Sequence, residues 1–239
     1  MKINRTYNIT VLTLFPEMFP GSLGHSLAAK ARENRVWDLQ TVNIRDFADD
    51  NYGTVDDVPY GGGPGMILKP EVLGRAFDAN IPGKDWDKIV LTPRGKPLTQ
   101  NRIKKISTKK GLLIVCGRYE GLDERFVKSR SLEEISIGDY ILSGGEPAAI
   151  VLIDSVVRLL SGTLKVTANI CEESFENSVL EYPQYTRPLH WEGMTPPEVL
   201  LSGDHAAIKK WREEKSLEDT KSRRPELIFN EKNSFNANK

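Results

Sequence analysis

The stretch from Gly111 to Gly145, GLLIVCGRYEGLDERFVKSRSLEEISIGDYILSGG, most constrains what this chain can fold into. Leu112 to Cys116 is an unbroken apolar run with the length of a strand buried on both faces, and Gly117-Arg118-Tyr119-Glu120-Gly121 halts it before a polar, helix-like segment. A second run, built on Ile135, Ile137, Tyr140, Ile141 and Leu142, surrounds Gly138 and stops at Ser143-Gly144-Gly145. Backbone free of side chains at two strand ends lets a ligand approach closely. Ordinary tight turns satisfy the same pattern, and from the pattern alone both readings stand.

The flanking periodicities place this stretch in an α/β protein. Ile9 to Phe15 reads as a strand closed by Pro16, and Val36 to Ile44 as a second strand. Between them Ser22 is a candidate N-cap for a helix reaching about Asn34, with Leu23, Leu27 and Ala31 on one face; His25 lies off that stripe and is given no role. Pro70 to Asn80 is helical in pattern, Lys88 to Thr92 is a short strand, and Pro93-Arg94-Gly95-Lys96-Pro97 forms a third strand-end loop. Thr99 or Asn101 can cap a helix carrying Ile103 and Ile106. Ala148 to Leu160 is strongly apolar and helical, and its Asp154 and Arg158, at i and i+4, are expected to face a site or a subunit rather than bulk water.

Arg45 to Gly65 has no periodicity and runs into DDVPYGGGPGM at 56 to 66. No Lys-Ser or Lys-Thr follows these glycines, which excludes a phosphate loop of the Walker kind, and no GxGxxG joins a strand to a helix. A structural clasp, a subunit contact and a substrate loop remain equal readings for it.

Composition adds exclusions. The 239 residues, 39% of them apolar, suffice for one large domain or a medium domain with a small companion. Lys and Arg number 33 and so do Asp and Glu, so any nucleic-acid contact must be local rather than global. Cys116 and Cys171 give neither a disulfide framework nor a zinc spacing, so no metal is expected. The first apolar run is too short for a membrane span and lacks a signal-peptide pattern; the chain reads as cytoplasmic, with no membrane partner.

From Ser161 to about Pro197 no convincing core element appears, after which Pro196-Pro197 and Ser202-Gly203-Asp204-His205 open two helices, the second carrying Ile208, Trp211 and Leu217. The interleaving of Tyr182, Tyr185, Arg187, His190 and Trp191 suits stacking on unpaired RNA bases; a small satellite core is the competing reading. The polar tail beyond Leu227 is expected to be mobile. Alternating strands and helices followed by helices alone predict a mostly parallel sheet with a small helical appendage.

Nine segments together carry a family resemblance: LFPEMF at 14 to 19, RDF at 45 to 47, DDVPYGGGPGM, CGRYEGLDER at 116 to 125, SIGDYILSGGE at 136 to 146, IDSVVR at 153 to 158, YPQYTRP at 182 to 188, LLSGDHAAIKKWR at 200 to 212 and RRPEL at 223 to 227. The chain resembles the bacterial tRNA (guanine-N1)-methyltransferases of the trefoil-knot class over nearly its whole length. The resemblance implies an α/β fold with a deep C-terminal trefoil knot in the N-terminal domain, plus a small all-helical C-terminal domain. By position it implies a methyltransferase domain over 1–162, a flexible linker over 163–178 and a tRNA-binding domain over 179–239.

It further implies S-adenosylmethionine as cofactor, bent into a pocket lined by Pro93, Gly117, Tyr119, Glu120, Gly121, Ile137, Gly138, Asp139, Tyr140, Ile141, Leu142, Gly144 and Gly145. The implied substrate is the guanine immediately 3′ of the anticodon in tRNA, bound through its anticodon stem-loop by a homodimer. The family's base is a linker aspartate whose matching position here is Glu173, and its helix arginine matches Arg158. Glu172 is adjacent, and register with Ser174-Phe175 favours Glu173. Glutamate in place of aspartate, Pro147 one residue earlier than the family pattern, and Ser178 in place of a glycine are the departures.

Overall fold

A computed structural model describes residues 6–81, 83, 85–164, 173–175 and 178–228. The chain divides into two compact units, Met1–Lys165 and Val166–Lys239. Glu172, Cys171, much of the expected linker and the polar tail beyond Ile228 lie outside the described residues.

In the first unit five strands form one wholly parallel sheet: β1 (Tyr7–Thr13), β2 (Trp37–Asn43), β5 (Trp86–Pro97), β6 (Gly111–Cys116) and β7 (Glu133–Ser136). Their order is β2-β1-β6-β5-β7, so β6 is inserted between strands that precede it in the chain. Two short strands, β3 (Asp56–Asp57) and β4 (Ile67–Leu68), make a separate antiparallel pair.

The unbroken apolar run at 112 to 116 follows from this position. Every residue of β6 is buried, with Leu112, Ile114 and Cys116 in one core layer and Leu113 and Val115 in the other. The first layer also holds Ala28 and Ala31 of α1 (Ser26–Glu33), Ile103 and Ile106 of α3 (Gln100–Ser107), and Ala149, Leu152, Ile153, Val156 and Val157 of α5 (Glu146–Leu159). The second holds Val72, Leu73, Ala76 and Phe77 of α2 (Pro70–Ala79), with Phe126 and Val127 of α4 (Glu124–Ser129). Phe77 meets Phe126 edge to face, with ring centroids 5.9 Å apart.

Two expectations need correction. The helix expected from Ser22 is broken: Gly21–Gly24 is a 3-10 turn, His25 is extended, and α1 begins at Ser26. The break resets the helical phase, so Ala28 and Ala31 face the core while Leu27 points to solvent, 49% exposed. The loop expected at Pro93 to Pro97 is part of β5, which pairs with β7 twice: Leu91 and Lys96 both oppose Ile135, with 92–95 bulged out between them. Gly95 permits this, since a Cβ there would lie 2.4 Å from Ile135 N. Of the two candidate caps for α3, Thr99 acts, its hydroxyl accepting from Arg102 N at 3.3 Å.

The second unit contains α6 (Glu198–Leu201) and α7 (His205–Arg223). Asp204 caps α7 by accepting from Ala206 N and Ala207 N. An irregular segment lies along one face of this helix. Leu180 N donates to Thr220 Oγ1 at 2.9 Å, Ser216 Oγ donates to Leu180 O, and the Arg212 guanidinium sits 4.7 Å from the Tyr182 ring centre. Positions 212, 216 and 220 recur once per helical turn, so side chains of α7 satisfy backbone that has no sheet to join.

Candidate functional site

In the first unit, loops gather beyond the carboxyl ends of β6 and β7 and at the bulge of β5, where open parallel sheets place their ligands. They enclose a cavity of about 1080 Å³. Pro93 reaches it from the bulge, Gly117, Tyr119, Glu120 and Gly121 from the turn after β6, and Ile137, Gly138, Tyr140, Ile141, Leu142, Gly144 and Gly145 from the turn after β7. Asp139 alone of the expected cofactor residues is not among the lining residues, and neither is Arg158, half-buried in the last turn of α5. Glu173 belongs to the second unit, where its neighbours are tied down: Ser174 Oγ accepts from Glu181 N at 3.0 Å, and Phe175 N donates to Val179 O at 2.8 Å.

The two glycine-ended runs are joined directly. Gly145 N donates to Gly117 O at 2.9 Å, and a Cβ on Gly145 would come within 2.9 Å of Cys116 Cα. Only glycine allows that approach. The turn after β7 is closed on itself: Ser136 Oγ donates to Gly138 O at 3.1 Å, and Tyr140 Oη donates to Ile137 O at 3.1 Å. The turn after β6 is fixed from the other side by β4, through Leu68 N to Gly121 O at 3.0 Å and Glu120 N to Met66 O at 3.0 Å.

The loop at 56 to 66 therefore borders the cavity. Asp57, Val58, Pro59 and Tyr60 are among its lining, and Tyr60 is 96% exposed. At the rim, charges are paired with one another: Arg94 contacts Glu124 at 2.8 Å and Glu134 at 3.2 Å. The Arg94 hydrogen bond, followed by that of Lys128, holds the Glu124 carboxyl below its ordinary value. Cys116 is fully buried behind the turn, and burial first, then the nearby Glu146 carboxylate, pushes its thiol well up, so it is a packing residue and not a nucleophile. Among the described residues no cluster of His, Cys, Asp or Glu could hold a metal ion, and no helix is long and apolar enough to cross a membrane.

The chain matches the family described as tRNA (Guanine-1)-methyltransferase TrmD over residues 7–230. It belongs to that family. Similar relatives are the tRNA (guanine-N(1)-)-methyltransferases of Zymomonas mobilis, 52% identical over 226 residues, and of Agrobacterium fabrum, 54% identical over 223. The alignments cover 94% of this chain and 91% of the first relative, and 93% of this chain and 96% of the second. A third, from Mesorhizobium japonicum, is 53% identical across 93% of this chain and 97% of its own length.

The positions expected to depart from the family pattern have simple local settings. Pro147 falls in the first turn of α5, where a missing N–H removes no helical bond. Ser178, expected where the family has glycine, adopts φ +57°, the left-handed conformation that glycine takes without strain. Several cavity residues carried no expectation from sequence, among them Leu91, Thr92, Arg94, Leu122 and Ala148. Leu91 and Ala148 come from a strand interior and a helix start, where nothing in the pattern distinguishes a cavity wall from ordinary core; Thr92 and Arg94 belong to the bulge of β5 and Leu122 to the turn before α4. Arg118 is different: it sits inside CGRYEG, and its position between two glycines was the available signal.

Proposed function

We propose that this chain transfers the methyl group of S-adenosylmethionine to N1 of the guanine immediately 3′ of the anticodon in tRNA. The observation that carries this reading is the cavity, in a member of this methyltransferase family, built at strand ends and glycine turns from four separated parts of the chain. Its chemistry suits the cofactor. The glycine turns after β6 and β7 bring backbone close enough to read the adenine, and Leu91, Ile137, Ile141 and Leu142 supply apolar enclosure. When bound, the cofactor supplies an electrophilic methyl group on a sulfonium.

The protein's own part is proton removal and charge stabilisation. Guanine N1 carries a proton at neutral pH, so a base must take it as the new bond forms. Glu173 is assigned that role, and Arg158 stabilises negative charge developing at O6. Asp139 keeps its place among the cofactor residues as part of the turn after β7, acting through that backbone. We further assign a knotted methyltransferase domain to 1–162, a linker to 163–178 and a tRNA-binding domain to 179–239. The working form is a cytoplasmic homodimer on the tRNA anticodon stem-loop. In the second unit Trp191 is the exposed stacking surface.

The deciding experiment offers labelled S-adenosylmethionine and two tRNA transcripts that differ only in guanine or adenine 3′ of the anticodon. Label should enter the guanine transcript alone, and Glu173→Ala should abolish transfer while cofactor binding persists. Transfer retained by Glu173→Ala refutes the base assignment. No label with either transcript, while cofactor and tRNA both bind, would instead identify a non-catalytic RNA-binding protein.

A further inference from the structure

The end of β1 and the segment after it, residues 13–19, line no part of the cavity, yet two charged side chains, Glu146 and Arg118, bind them to it. Thr13 Oγ1 donates to Glu146 Oε1 at 2.7 Å and accepts from Phe15 N at 2.9 Å. Glu146, the first residue of α5, is 0% exposed, and its Oε2 lies 2.9 Å from Arg118 Nε. That ion pair is off the hydrogen-bond line, and neither Oε2 nor Nε has a hydrogen-bond partner among the described residues. The two atoms are therefore held to each other by charge, out of reach of water.

Arg118, by contrast, lines the cavity. Its Nη1 donates to Ser143 O at 3.1 Å, its Nη2 donates to Met18 Sδ at 3.3 Å, and its guanidinium lies 4.4 Å from the Phe15 ring centre. Ser143 and Gly144 are cavity residues too, and a Cβ on Gly144 would fall 2.3 Å from Arg118 Nε. One guanidinium thus spans the turn after β6 and the turn after β7, while Thr13, Phe15 and Met18 close it in from behind.

We propose that Glu146 is a positioning residue for the cofactor: it holds Arg118 across the two glycine turns, and the LFPEMF segment is the buttress behind that clamp. The proposal rests on the reading of the cavity as the S-adenosylmethionine site. A buried carboxylate that only stabilised the fold would tie cofactor affinity to stability. A positioning carboxylate separates them, because the wall geometry depends on the Arg118–Ser143 bridge, whereas stability depends on leaving no buried charge unpaired.

The test compares wild type, E146Q, R118M and the double variant E146Q/R118M as full chains, reading S-adenosylmethionine affinity by calorimetry and Tm by thermal unfolding. E146Q should lower Tm and weaken binding about tenfold, the factor expected for one lost charge-assisted contact. The double variant, with no unpaired charge left, should recover most of the lost Tm while binding stays weak. Recovery of affinity together with Tm overturns the proposal, as does E146Q binding like wild type. If E146Q does not fold, Thr13→Val keeps the Glu146–Arg118 charge pair and removes only the hydroxyl, with its bonds to Glu146 and from Phe15 N; it should weaken binding in the same direction, and unchanged affinity counts against the clamp. Wild-type chain that fails to bind S-adenosylmethionine would overturn the reading of the cavity itself, a result distinct from any of these.

Discussion

In the first unit the candidate ligand residues extend from β6, buried along its whole length, and from neighbours cored on both faces, whereas in the second unit α7 buries a single residue, Thr220. The cavity is walled by glycine turns whose backbones are tied to the sheet and to one another; the second unit offers side chains, with Trp191 59% exposed and Met194 beside it. Recognition by backbone demands a frame that fixes peptide groups to within a fraction of an ångström, and tight sheet packing supplies it. Recognition by side chains needs only local order. Trp191 has that from a two-residue turn in which Trp191 N and Met194 O, and Met194 N and Trp191 O, bond reciprocally, with Glu192 and Gly193 both left-handed.

The largest expected effect tests the rigid half of this contrast. Gly95→Val puts a branched side chain where even a Cβ would be 2.4 Å from Ile135 N, between the two pairings of β5 with β7. Overpacking against backbone with no flexible neighbour to yield should cost about 3 kcal/mol or more, read as a lower urea midpoint. A variant with wild-type stability would mean that this crossing is looser than its geometry shows. The matching change in the second unit is Trp191→Ala. It should leave the urea midpoint within about 0.5 kcal/mol of wild type while weakening tRNA binding by roughly 1–3 kcal/mol, the worth of one base stack. If stability falls and tRNA affinity does not, Trp191 is core and the contrast fails on that side.

The same contrast explains what was legible in the sequence. The strand at 112 to 116 was readable because burial on both faces leaves an unbroken apolar run, and the glycine turns because a missing Cβ at Gly145 is needed where two backbones meet. The double pairing of β5 was hidden: Thr92-Pro93-Arg94-Gly95 has the composition of a loop, and only the long-range partner Ile135 makes it strand. The phase of α1 was hidden by a local break at His25 that periodicity alone passes over. In the second unit the aromatic and basic residues were visible as a set but not their division. Tyr182 is taken by Arg212, Tyr185 sits near Trp211 at 6.4 Å between centroids yet stays 51% exposed, and Trp191 faces outward at 59%. That division depends on which residues share a helical turn of α7, a tertiary fact absent from composition.

The smallest expected effect compares the caps of one helix in each unit. Asp123 accepts from Arg125 N at 2.8 Å at the start of α4, and Asp204 accepts from Ala206 N at 2.9 Å at the start of α7. Replacing either with alanine should cost about 1 kcal/mol. The two differ in what else grips the carboxylate. Asp123 also takes the Arg125 side chain at 2.7 Å, and that hydrogen bond, outweighing the opposing effect of burial, holds its carboxyl below the ordinary value. A lowered folded-state value places the full stabilisation above the unfolded carboxylate's range, about 3.9, and removes it as pH falls through the folded value. The stability gap between wild type and Asp123→Ala should therefore be constant from neutral pH down to about 5 and close only in strong acid. Arg125 is largely exposed, so screening by solvent keeps the ion-pair share of that gap small. A gap that stays open in strong acid would show that the charge of Asp123 contributes nothing, leaving a neutral carboxyl to cap α4 as well as an anion does.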